Sequence, residues 1–171
     1  MKRASVLTVV LACLAFGCSS SSTSPSTSNP NNIVFTAQLL PANETPPITG
    51  SESTSSGSVT ITFVPTKDSS GNITSSVGTA GVSTQGFPSG SAITVSHIHT
   101  GAFAVPGPVY VGFIPPGGVP TAGGAAGYTV TMNATGDQLT AIMNNPAGYY
   151  FNVHTQQNPN GVMRGQLVRT Q

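Results

Sequence analysis

The feature that most constrains this chain is a set of short runs in which apolar and hydroxyl-bearing residues alternate, each closed off by Gly, Pro, Asn or Ser. In Gly57-Ser58-Val59-Thr60-Ile61-Thr62-Phe63-Val64, the residues Val59, Ile61 and Phe63 fall on one face and three hydroxyls on the other. That is the period-two signature of a half-buried strand. Residues 33–40 repeat it with Phe35, Ala37 and Leu39 inward, and related runs follow at 73–77, 93–99, 109–113, 128–132, 149–154 and 162–168. Eight runs at this spacing predict an all-β chain, an antiparallel Greek-key β-sandwich of immunoglobulin-like or superoxide-dismutase-like type. Helical spacing occurs at residues 137–144, where Leu139, Ile142 and Met143 are apolar, Asp137 is placed to cap and Asn145-Pro146 to stop. One short helix is therefore expected. The Gly- and Ala-rich segment 117–127 predicts a flexible loop.

Such a sandwich needs a wetted surface, and here charge does not supply it. Only 5% of the residues are charged and the formal net charge is +1, against about 25% in an average protein. The surface is made of Ser, Thr, Asn and Gln, which leaves no electrostatic basis for holding DNA or RNA. Nucleic acid is excluded as a partner. A mean hydropathy of +0.10 likewise argues against disorder along the whole chain. No Gly-X-Ser-X-Gly motif and no Asp–His spacing suggests a nucleophilic hydrolase.

The first 17 residues run from Met1-Lys2-Arg3 through an apolar stretch to small residues before Cys18. They read as a secretory signal peptide, because an apolar run this short cannot span a membrane. Leu14-Ala15-Phe16-Gly17-Cys18 resembles a bacterial lipoprotein box, which implies lipidation of Cys18 and a membrane-anchored place in the bacterial cell envelope. Cleavage there would remove Cys13, so no disulfide could form within the chain. It would also remove Lys2 and Arg3, leaving a formal charge of −1. Residues 18–32 consist of Ser, Thr, Pro and Asn after the cysteine and predict a disordered tether. Residues 33–171 are then the folded domain.

Three histidines carry most of the chemistry available to that domain. Alternation along residues 93–99 places Ile93, Val95, His97 and His99 on one strand face. Imidazoles two residues apart on a strand can converge on one ion, and His154, at the end of another predicted strand, could complete a three-nitrogen copper or zinc site. Two readings stay open: a metal site, or imidazoles hydrogen-bonded to backbone that close one end of the sandwich.

Phe35-Thr36-Ala37-Gln38-Leu39 with Asn43-Glu44-Thr45-Pro46-Pro47 forms the first of a series of spaced motifs. His97-Ile98-His99-Thr100-Gly101 with Pro106-Gly107-Pro108-Val109 follows, then Tyr150-Phe151-Asn152-Val153-His154-Thr155 with Asn158-Pro159-Asn160-Gly161-Val162-Met163-Arg164-Gly165-Gln166-Leu167. Together they resemble a CHRD domain. The family takes its name from chordin, an extracellular animal protein that binds growth factors, and it includes many bacterial secreted proteins. The resemblance implies a fold and an extracytoplasmic compartment, with an extracellular protein or matrix component as the kind of partner. It also brings forward Glu44 and Arg164, which lie inside family motifs and are expected to pair as a structural unit or to orient the histidines. The leading expectation is a non-enzymatic binding or structural module anchored to the envelope. The alternative is a copper- or zinc-binding sandwich using the three histidines and open to redox chemistry, similar in outline to copper–zinc superoxide dismutases but lacking residues for their second metal.

Overall fold

The computed structural model describes residues 29–113 and 118–171. The expected signal peptide, Cys18 and most of the tether lie outside these residues. Ten strands are present among the described residues: β1 (Ile33–Leu39), β2 (Ser56–Lys67), β3 (Ile73–Gln85), β4 (Ala92–Thr100), β5 (Val109–Phe113), β6 (Val119–Pro120), β7 (Ala126–Thr135), β8 (Tyr149–Thr155), β9 (Met163–Gln166) and β10 (Val168–Arg169). They form two antiparallel sheets, one ordered β10-β1-β2-β3-β7 and the other β5-β4-β8-β9, with β6 also paired to β4. One α-helix, α1 (Gly136–Asn144), links β7 to β8. This is the all-β sandwich with a short helix that the alternation predicts.

The core lies where the inner faces meet. Phe35 and Phe63 pack edge to face with centroids 6.1 Å apart, among the fully buried Ile61, Ile93, Ile98, Phe151 and Met163. Strand β3 is longer than the expected 73–77 because its inward positions hold small residues that hide the alternation. A Cβ on Gly78 would run into the Phe63 ring and the Met132 side chain, so the absence of a side chain there is what admits those two large neighbours.

Three local expectations are corrected. Asp137 is not the helix cap: Thr135 is, its hydroxyl accepting from the Gln138 amide while Gln138 returns a bond to the Thr135 amide. The run 162–168 is not one strand, because buried Leu167 turns inward between β9 in one sheet and β10 in the other. The segment 117–127, expected to be a loop without structure, holds β6 against Ala92 and Ile93 in its described part. There Thr121 is fixed by its amide and hydroxyl to the Ser91 carbonyl.

Candidate metal centre

Strand β4 does not alternate cleanly. Its register with β8 shifts between Ile93, opposite Thr155, and Val95, opposite His154, so one extra residue bulges out. Ile93 therefore belongs to the core with Ile98 and not to the face of the histidines, which corrects the sequence expectation. Past the bulge, His97 lies opposite Asn152 and His99 opposite Tyr150, while β9 sets Arg164 opposite Asn152. Since Phe151 and Val153 point into the core, Tyr150, Asn152 and His154 lie on the face turned away from the other sheet. That face would ordinarily be wet. Here loops cover it, and His99, His154, Asn152 and Arg164 are all buried.

The covering loops fix the imidazoles. Nδ1 of His99 lies 2.9 Å from the Gly107 carbonyl and Nδ1 of His154 lies 2.9 Å from the Pro159 carbonyl. A carbonyl can only accept, so both Nδ1 atoms carry the hydrogen. Burial holds the pKa of both rings below the usual imidazole value, so both are neutral near pH 7 and their Nε2 atoms are bare lone pairs. Nε2 of His154 is met by Nδ1 of His97 at 3.2 Å, and the hydrogen in that contact must belong to His97. Nε2 of His99 is buried with no partner at all. Burial, reinforced by the neighbouring imidazoles, holds the half-buried His97 down at about 4.

One ligand atom from each of the three histidines lies within 4.8 Å of the other two. At metal–nitrogen distances of about 2.0–2.1 Å, tetrahedral ligand atoms sit roughly 3.4 Å apart. The rings would need to draw in by roughly 1 Å to take an ion. The donor set suits one: neutral imidazoles are the form that binds metal, and donation of the opposite ring N–H to a backbone carbonyl is the usual support of a metal-bound histidine.

Beside the histidines, Tyr150 stacks on His99 with centroids 5.0 Å apart, and the Arg164 guanidinium lies 4.6 Å from the centre of the Tyr150 ring. Arg164 is held by the Asn43 carbonyl at 2.6 Å and by the Thr45 hydroxyl. Its Nε is 3.9 Å from Oε2 of Glu44, an ion-pair distance too long for a hydrogen bond. Desolvation raises the Glu44 carboxyl to about 7, the nearby guanidinium only partly opposing it. The structure thus brings Glu44 beside Arg164 and gathers the three histidines, with Tyr150 as the contact between the two groups.

Sequence reasoning overlooked Asn152 and Tyr150, both fixed by cross-strand register, and Glu52. Glu52 is fully buried and accepts from Ser91, Thr155 and Asn158 at 2.7, 2.6 and 2.7 Å. Through Asn158 it steadies the loop whose Pro159 carbonyl holds His154. Its scarcity was the available signal, since it is one of only four acidic residues in the chain.

In comparisons with known proteins, the family model described as the CHRD domain matches residues 35–167. No curated protein and no solved structure matches the chain.

Proposed function

Because this chain belongs to the CHRD domain family, we propose that it is a non-enzymatic binding module, anchored in the bacterial cell envelope through Cys18, that holds a copper or zinc ion among His97, His99 and His154. The observation that carries the metal reading is the buried, unpartnered Nε2 of His99 within reach of the other two imidazoles. A buried acceptor left without a donor is unfavourable by about 1–3 kcal/mol, and an ion at this point would relieve it. Three protein ligands leave a tetrahedral ion one further position, for water or for a group on an extracellular protein or matrix partner.

A second reading is favoured by the 3.2 Å contact between His97 and His154: a hydrogen-bonded cap that only ties loops to the sheet. Elemental analysis of the full-length protein, purified without added metal, separates the two. Copper or zinc should be present stoichiometrically and be lost in His99→Ala, and adding the metal back to chelator-treated wild type should raise its melting temperature. A metal-free protein whose melting temperature ignores both metals would leave only the cap.

A further inference from the structure

We propose that the loop between β4 and β5, residues 101–108, docks on a lipid bilayer and seats its tip in the surface of the membrane to which Cys18 ties the chain, an inference that rests on the anchor proposed above. The Val105 amide donates to the Ala102 carbonyl at 3.0 Å, closing a turn that carries Phe103 at its tip. Phe103 is 65% exposed, Val105 52%, and Val109, where β5 begins, 50%. No charged residue occurs between Asp68 and Asp137. Ala104 adopts φ +62, a left-handed conformation that turns usually give to Gly, Asn or Asp. Alanine there leaves the tip without a polar side chain where one would be at ease. The base of the loop is fixed, the Thr100 amide donating to the Pro108 carbonyl at 3.1 Å and the Gly107 amide to the Tyr150 hydroxyl at 3.2 Å. The apolar tip is thus held in place before it meets a partner, and little ordering remains to oppose docking.

Register places this loop toward the tethered end of the domain. Leu40, just past the far end of β1, lies opposite Arg164, Arg164 opposite Asn152, and Asn152 opposite His97. From that level β4 runs on to Thr100, opposite Tyr149, whose carbonyl accepts from the Leu167 amide. Beyond Leu167, Val168 and Arg169 pair with Thr36 and Phe35, and the Gln171 carbonyl takes the Val34 amide, next to Ile33. The loop therefore leaves β4 in the direction of Ile33 and away from Leu40. Between Cys18 and Ile33 lie 14 residues, a reach of at most about 50 Å for an extended chain. Contact between loop and lipid is then an intramolecular event, in which even a small apolar contact is occupied. Lipid is the partner that the tip itself favours, since it offers apolar area to remove from water and no side chain that could hydrogen-bond a protein. Because the Gly107 carbonyl at the base of the loop holds His99, docking would set the histidines close to the bilayer surface.

The chain contains no Trp, so Phe103→Trp supplies a lone fluorescent reporter at the tip, and Leu40→Trp, 43% exposed in the wild type at the other end of β1, is its control. Both cysteines, Cys13 and Cys18, precede the folded domain. Full-length protein is therefore coupled through them to a thiol-reactive lipid in phosphatidylcholine vesicles, so that failure of the contact is read separately from failure of cells to acylate Cys18. On coupling, the tryptophan at 103 should emit at shorter wavelength and be quenched by lipids brominated along their acyl chains, while the one at 40 should show neither effect. Adding Val105→Asp to Phe103→Trp should remove the shift and the quenching and leave the melting temperature unchanged, as expected of an exposed position. Emission at 103 that stays as in water on coupled vesicles, or equal quenching at 103 and 40, would overturn the proposal. So would a shift that appears without vesicles and grows with protein concentration, which would assign the tip to a second copy of the chain.

Discussion

Burial acts in opposite directions on the two kinds of titratable group in this site, and that sets how stability responds to pH. The folded-state pKa values of His97, His99 and His154 lie below the usual 6.5, that of His97 at about 4. As pH falls below 6.5, the unfolded chain takes up protons before the folded one does. The stability that these groups contribute is whole above 6.5 and is lost as pH drops toward 4. Glu44, raised from 4.5 to about 7, runs the other way. Its contribution is whole below 4.5 and is lost as pH rises through 7. In metal-free buffer the three histidines should outweigh the single carboxyl, so urea midpoints should fall between pH 6.5 and 4.5. Glu44→Gln should steepen that fall, and His99→Ala should flatten it. A midpoint that rises on acidification would mean that the imidazoles are already charged in the folded protein.

Among the elements, those whose large apolar residues alternate were legible in the sequence: β1 and β2 read almost residue for residue, since a strand with Phe35, Ile61 or Phe63 inward and Thr outward has one way to lie. Elements shaped by their neighbours were not. The inner positions of β3 are small to suit Phe63 and Met132, and the two-residue β6 is too short to show any period. The extra residue in β4 can be seen only against its partner strand. The site divides in the same way. With just three histidines in the chain, His97, His99 and His154 were the obvious ligands, but the loops that bury them and set their tautomers leave no trace in local pattern. Glu52 shows what such long-range ties are worth. Its carboxylate joins the turn at 51–54 to Ser91 ahead of β4 and to Thr155 at the end of β8. Glu52→Ala would leave three donors unmatched in a buried place and should destabilise the domain by about 3 kcal/mol in urea denaturation. A loss under about 1 kcal/mol would show that water replaces the carboxylate freely.

For the whole molecule, the division of labour is between a sandwich that needs almost no charge and an N-terminal segment, outside the described residues, that we propose holds it at a membrane. Labelled fatty acid should enter the wild type and be absent from Cys18→Ala, whose product should be released from the membrane fraction; label kept by the mutant would contradict the anchor. If the domain is tied down in this way, a pull on the tether first meets the exposed hydrogen bond from the Gln171 side chain to the Asn29 carbonyl and is then borne by β1. β1 is not an edge strand. It is zipped to β2 by seven residue pairs along one side and held by β10 through Phe35 and Thr36 along the other. Lifting it means parting both seams while drawing Phe35 and Leu39 out of the core. The strand nearest the tether is therefore also a mechanical clamp, placed where load would enter.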